Sequence, residues 1–248
     1  VDSLSDKNPL IKEIRRAVSR GTLTDDGYAV AEGAHLLEEA LAARCEVAAV
    51  IVSESARIHY PDSRTVSDKT FREMAATETP QGVIALVRPP KSTLAQMLRG
   101  AALLVVLDGL QDPGNAGAIL RAAEAFGATG AVFLKGTVDP YNPKCVRGSA
   151  GSVFRMPLVA SVEADEVLMH TELAWYAAMP RAKKLVSDAD LMAPCGIIIG
   201  SEGHGVSPAL AGRAIGLRIP TTGVESLNAA VAAGIMLYEA RRQRGAAR

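Results

Sequence analysis

Apolar and polar positions alternate with two different periods along this chain. Within residues 9–19, Leu10, Ile14 and Val18 recur four apart, with Lys12, Arg15 and Arg16 between them, which predicts a short amphipathic helix. Residues 28–31 and 47–52 read as strands, 33–43 and 67–75 as helices, and 83–87 as another strand. Strands alternating with helices predict an α/β layer structure. Arg88-Pro89-Pro90-Lys91-Ser92 breaks the pattern, and its two prolines between charges mark the start of a linker. Residues 103–107 then form a wholly apolar strand, followed by a loop over 108–115 and a helix through Phe126. Further short apolar strands are predicted at 131–134, 175–178, 197–199 and 215–219, with a last helix from about Ser226 to Arg241. Strands apolar along their whole length belong to a parallel sheet covered on both faces.

Composition narrows the class. The 248 residues are 48% hydrophobic and 22% charged, enough for one large domain or two small ones, which excludes a disordered or fibrous chain. Lys+Arg and Asp+Glu both total 27, and the two parts divided at Gly100 are each balanced, so neither is a basic nucleic-acid arm. Any RNA partner must be held by local patches and shaped pockets. Cys45, Cys145 and Cys195 form no CxxC pair and have no His at ligand spacing, so neither a disulfide scaffold nor a structural metal site is expected. The longest apolar run, 101–107, is far too short to cross a membrane, and the polar start Val1-Asp2-Ser3 has no signal-peptide core. A soluble cytoplasmic protein is the expectation, and a first residue of Val rather than Met suggests a trimmed start.

Three glycine-containing clusters follow predicted strands, where open α/β sheets place ligands. In Asn115-Ala116-Gly117-Ala118-Ile119-Leu120-Arg121, the Arg lies one turn after a glycine, so its guanidinium can lean across Gly117 toward the preceding loop. An ordinary solvated helix explains that spacing equally well. Gly200-Ser201-Glu202-Gly203-His204-Gly205 allows left-handed backbone and close approach of amides to a ligand, with Glu202 adding a carboxylate. A plain glycine-rich turn is the simpler account, and His204 has no neighbouring nucleophile. Ile219-Pro220-Thr221-Thr222-Gly223-Val224-Glu225-Ser226-Leu227-Asn228 runs into the last helix with Ser226 as its natural N-cap, which leaves Asn228 inside the first turn without a propensity reason. No GxGxxG after a strand, GxxxxGK[ST], GxSxG or HExxH occurs, which leaves dinucleotide, P-loop, elbow-hydrolase and zinc-protease chemistry unsupported.

Taken in order, these clusters resemble the three motifs of the SpoU (TrmH-like) RNA ribose 2′-O-methyltransferases of the SPOUT class. The resemblance extends over most of 103–239 and includes Leu237-Tyr238-Glu239 and the stretch Pro143-Lys144, Arg147, Ser149, Gly151, Arg155-Met156-Pro157. Ala229-Ala230 departs from it, since many members carry Val-Ser there. Upstream, Ala31-Glu32-Gly33-Ala34-His35 is similar to the start of a helix in the family's ribosomal-protein-like RNA-binding domain.

The resemblance implies a small α/β RNA-binding domain over 1–88, a linker over 89–100, and a trefoil-knotted parallel-sheet domain over 101–248. It implies methylation of a ribose 2′-hydroxyl, with ribosomal RNA as the expected substrate, by a homodimer that uses S-adenosyl-L-methionine. It places Arg121, Asn115, Glu202, Ser226 and Asn228 in the catalytic site, and Gly200, Ser201, Gly203, Ile219, Thr221 and Leu227 around the cofactor. Lys12, Arg15, Arg16 and Arg20 form one candidate RNA patch, and Lys144, Arg147 and Arg155 another, with solvated surface as the alternative for both. A transfer-RNA methyltransferase and a non-catalytic RNA-binding or ribosome-assembly factor remain open readings.

Overall fold

The computed structural model describes residues 4–56, 58 and 60–245; the polar start at 1–3 lies outside them. The first helix, α1 (Pro9–Arg20), begins where Asn8 Oδ1 accepts from the Leu10 N–H at 3.0 Å, and ends at Gly21, whose φ of 66° closes a left-handed cap. Its buried stripe is Ile11, Ile14 and Ala17; of the expected Leu10, Ile14 and Val18, Ile14 lies on the stripe and Leu10 and Val18 flank it, partly buried. Then follow β1 (Ala29–Glu32), α2 (Ala34–Ala42), β2 (Val47–Ser53), β3 (Arg64–Val66), α3 (Asp68–Met74) and β4 (Val83–Val87). The four strands form a mixed sheet in the order β1-β4-β2-β3, antiparallel except between β2 and β3. Ile11, Ile14, Phe71, Met74 and the inward residues Val30, Ile51, Ile84 and Leu86 make its core.

The chain continues through α4 (Leu94–Met97), β5 (Leu103–Asp108), α5 (Pro113–Ala125), β6 (Gly130–Leu134), α6 (Pro143–Gly148), α7 (Ser152–Arg155), β7 (Leu158–Val162), α8 (Ala164–Leu168), β8 (Ala174–Ala178), β9 (Lys184–Leu185), β10 (Cys195–Gly200), α9 (Pro208–Ala211), β11 (Ile215–Arg218) and α10 (Ala229–Gly245). Seven of these strands form one sheet, β7-β6-β5-β10-β8-β11-β9, in which every neighbouring pair is parallel. Leu104, Val106, Val132, Leu134 and Ile198 pack on one face with Met97, Val167, Leu168 and Leu210 from α4, α8 and α9. By the two-residue period of a strand, Leu103, Val105, Leu107, Ile197 and Ile199 face the other side, where α5 and α10 lie. Burial on both faces is why these strands carry no polar alternation.

Two compact units result: the described residues up to Pro90 together with Asp139–Arg155, and Lys91–Val138 with the described residues from Met156 onward. The excursion between β6 and β7 thus packs with the N-terminal sheet, where Thr22 Oγ1 donates to Asp139 at 2.6 Å and Cys45 Sγ donates to the Phe154 carbonyl at 3.8 Å. The stretch expected as a linker over 89–100 differs as well. Thr93 and Gln96 close a capping box around α4, and Met97 is 1% exposed in the core of the larger unit, so only the Pro89-Pro90 corner reads as a connection. No helix among the described residues is long and apolar enough to cross a membrane.

Candidate active site

The larger sheet places the motif-bearing loops side by side. Asp108 and Gly200 are register partners at the C-terminal ends of the two central strands, so the loops that follow them leave together. The β10 loop turns back at once: Ser201 and Gly205 exchange backbone hydrogen bonds of 3.0 and 2.9 Å, with Gly205 at φ 69°. A Cβ on Gly200 would sit 2.1–2.3 Å from backbone atoms of Gly205 and Val206, so this crossing requires glycine. On the other side of β10, β8 ends at Ala178-Met179-Pro180, and β11 beyond it leads into 219–228. These strand ends enclose a cleft of about 420 Å³.

Ile199, Leu217, Ile219, Leu227, Ala178 and Met179 give the cleft apolar walls, and Ser201, Glu202, Thr221, Glu225, Ser226 and Asn228 give it polar groups. The volume and the mixture match a site for a small organic cofactor. Of the six expected cofactor residues, Gly200, Ser201, Ile219, Thr221 and Leu227 line it. Gly203 does not, because it sits exposed at the tip of the folded-back turn. Ala178, Met179 and Pro180 were not singled out from the sequence; the apolar strand ending in Pro was their only signal, since strand ends are where ligands bind.

At the mouth of the cleft, two hydrogen bonds join all three clusters. Asn115 Nδ2 donates to Glu202 Oε1 at 2.7 Å, and Asn228 Nδ2 donates to Asn115 Oδ1 at 3.0 Å. Asn228 Oδ1 then accepts from the N–H groups of Ala230 and Val231 at 2.9 and 3.3 Å. Both amides are oriented by the ends of this chain: an ionised carboxylate only accepts, and a helical N–H only donates. Every dipole therefore points from the α10 N-terminus toward Glu202, and such aligned bonds polarise one another.

Local structure holds each member. Asp112 Oδ1 accepts from the Asn115 N–H at 2.7 Å and caps α5, which begins at Pro113, so Asn115 belongs to the first helical turn rather than to a loop. Asn228, not Ser226, is the N-cap of α10, and the helix starts three residues later than expected. Asn228 is therefore at a cap, not inside a first turn, and its free amide end reaches Asn115. Ser226 is left exposed on the cleft wall. Gln111 Nε2 donates to the carbonyls of Gly109 and Gly136 at 3.0 and 2.7 Å, which fixes the loop before α5.

Arg121 is exposed on α5 and has no hydrogen bond or ion pair among the described residues, so the structure does not tether it to the 112–115 turn. The expected N-terminal basic patch is largely self-neutralised. Arg15 pairs with Asp6 at 2.8 Å and with Glu73, while Arg16 and Arg20 both pair with Asp25. Arg155 pairs with Glu39. Lys144 and Arg147, exposed on α6, have no such partner among the described residues. Burial pushes the thiols of Cys45, Cys145 and Cys195 up, so none is available as a thiolate nucleophile near neutral pH. Among the described residues no group of three or more His, Cys, Asp or Glu could hold a metal ion.

Residues 102–238 match the sequence model of the SpoU rRNA methylase family, and residues 8–85 that of an MRM3-like substrate binding domain. The chain belongs to the SpoU family. It is 32% identical to the 23S rRNA (guanosine(2553)-2′-O)-methyltransferase RlmP of Bacillus subtilis, over 96% of this chain and 98% of that one. Among solved structures it is similar to the SpoU methyltransferase AviRb from Streptomyces viridochromogenes in complex with AdoMet, with a TM-score of 0.85 and 27% identity over 98% and 100% of the two chains. It is also similar to an AdoMet-bound rRNA methyltransferase from Sinorhizobium meliloti, with a TM-score of 0.83 and 28% identity over 98% and 97%. These likenesses extend over both compact units, and the SpoU family uses S-adenosylmethionine.

Proposed function

We propose that this SpoU-family protein methylates a ribose 2′-hydroxyl of ribosomal RNA, using S-adenosylmethionine bound in the 420 Å³ cleft. The observation that carries the reading is the Glu202–Asn115–Asn228 chain, which a binding module on this fold would not need. Ser201, Thr221 and the backbone around Gly200 and Leu227 would hold the cofactor's polar groups, and Ile199, Leu217 and Ile219 would pack against its apolar surface. Bound there, the cofactor supplies a methyl group already activated on a sulfonium. The chain has then to position the ribose and accommodate loss of its hydroxyl proton.

Asn115 and Asn228 hold Glu202 in place, and Ser226 lines the pocket beside the ribose. Arg121 is a poor base, because a guanidinium presents five donors and no acceptor. Its role is to clamp a neighbouring phosphate and offset charge developing on the ribose oxygen. An exposed Arg without an acidic partner among the described residues suits that role.

Two further features belong to the same reading. A homodimer is supported by Val231 and Tyr238, two turns apart on one face of α10 and 50% and 54% exposed. A trefoil knot fits a strand order in which β10 enters between β5 and β8 and β11 lies beyond β8. The three free cysteines suit a reducing cytoplasm.

The test is to incubate the protein with labelled cofactor and separated ribosomal and transfer RNAs, then map positions that resist alkaline cleavage. A single resistant ribose in large-subunit RNA is expected. Label confined to transfer RNA would replace the substrate, and cofactor binding without transfer to any RNA would favour an assembly factor.

A further inference from the structure

The N-terminal unit holds a second cavity, of about 240 Å³, which shares no lining residue with the methyl-transfer cleft. Gly33 and His35 at the start of α2, Thr77, Thr79 and Gln81 from the loop before β4, and Arg147 on α6 form its wall. The loop is fixed rather than loose: Glu32 Oε2 accepts from the Ala76 N–H at 2.7 Å, and its other oxygen accepts from the Thr77 hydroxyl. Both oxygens of the one carboxylate in the wall are thereby engaged. Gly33 has φ 107°, and a Cβ there would come within 3.0 Å of Gln81 Oε1, so glycine allows Gln81 to lie across the entrance of α2. The excursion Asp139–Arg155, inserted between β6 and β7, brings Arg147 to this wall.

Arg147 differs from Arg15, Arg16 and Arg155 of the same unit in lacking an acidic partner among the described residues. Its guanidinium only donates, the Thr79 hydroxyl and Gln81 amide can donate, and the carboxylate of Glu32 is already occupied. Arg147 therefore requires a ligand with at least one acceptor, and Thr79 and Gln81 can pair with either a donor or an acceptor beside it. The volume lies below the roughly 300–1,000 Å³ of cofactor pockets, which suits one small planar group and not a strand or a duplex. RNA offers that group as an unstacked base, the form in which proteins read RNA sequence.

We propose that this pocket receives one unpaired nucleotide of the substrate RNA, with Arg147 meeting its acceptor edge or its phosphate. The inference rests on the RNA-methyltransferase reading, and it names one pocket within the unit whose residues 8–85 match a substrate binding domain.

The test measures binding of the full chain to protein-free large-subunit ribosomal RNA over a range of salt concentrations, with Arg147→Ala and Thr79→Trp. Both changes fall on exposed positions, and thermal melting together with S-adenosylmethionine affinity checks that each variant is folded. A base in the pocket is expected to make both variants bind about tenfold more weakly, with the salt slope nearly unchanged. A phosphate contact is expected to weaken Arg147→Ala alone and to reduce its salt slope by about one. In methyl transfer the loss should fall on KM for RNA rather than on kcat. RNA affinity within twofold of the parent chain in both folded variants overturns the proposal. Because binding is read without turnover, a chain that binds RNA but methylates none would sink the functional reading and leave this test intact.

Discussion

Asn228 has two tasks that one atom each performs, and they can be separated. Its Oδ1 caps α10, and its Nδ2 donates to Asn115. Asn228→Asp retains a capping oxygen, favoured further by the helix dipole, but replaces the donor with an acceptor. Asn115 cannot then satisfy both neighbours, because turning its amide to donate to the introduced carboxylate would aim its oxygen at Glu202. Thermal stability of Asn228→Asp is expected within about 0.5 kcal/mol of the parent, while methyl transfer falls by one to two orders of magnitude. Asn228→Ala is expected to lose about 1 kcal/mol as well. A fully active Asn228→Asp would remove the hydrogen-bond chain from the mechanism. For Arg121, the clamp reading predicts that Arg121→Ala abolishes transfer with cofactor affinity within a few-fold, and that Arg121→Lys stays badly impaired, since an ammonium lacks the planar two-point grip. Isothermal titration and single-turnover assays on the same preparations check both halves.

At the scale of elements, legibility in the sequence followed burial. The strand beginning at Leu103 and the one around Ile197–Ile199 could be read directly, because both faces of each are covered and no polar residue interrupts them. Edge strand β7 could not: it exposes Ala160 and Ser161, carries Ser161 at φ 58°, and shifts register against β6. The short α4, α6, α8 and α9 were also missed, since four to six residues cannot display a helical period. In the site, each cluster was visible locally, but Asn115 and Glu202 are separated by 87 positions, and only the parallel pairing of β5 with β10 brings them within 2.7 Å. The start of α10 was misplaced because Ser226 and Asn228 are both good caps, and packing chose the second. Arg244 carried no signal at all. Its guanidinium donates to the carbonyls of Ala101, Ala102, Leu191 and Ala193 at 2.6–2.9 Å, tying the end of α10 to the N-terminal edge of the central strands. A lysine has three rotatable donors and no fork, so Arg244→Lys leaves part-buried carbonyls unpaired. A loss of about 1–3 kcal/mol in urea unfolding is expected, with KM for RNA unchanged in the material that remains folded.

For the whole molecule, zero net charge conceals an uneven distribution: several N-terminal arginines are consumed by Asp6, Asp25 and Glu73, whereas Arg121, Lys144 and Arg147 have no acidic partner among the described residues. RNA affinity from so few phosphate contacts should have a shallow salt slope, and doubling the chain would double the open cations presented to one RNA. The face of α10 that would make the dimer is available for a clean test. Val231 occupies the third helical position, where its N–H is held by Asn228 and where an acidic side chain favours the helix. Val231→Asp should therefore leave the fold intact, and any loss must come from the exposed face. Light scattering is expected to give twice 25.9 kDa for the parent chain and 25.9 kDa for the variant. If the site needs its partner, methyl transfer by Val231→Asp should fall at least tenfold and recover at high protein concentration as association is driven by mass action. A parent chain that is monomeric at working concentration and fully active would refute the dimer and leave the clamp role to Arg121 of the same subunit.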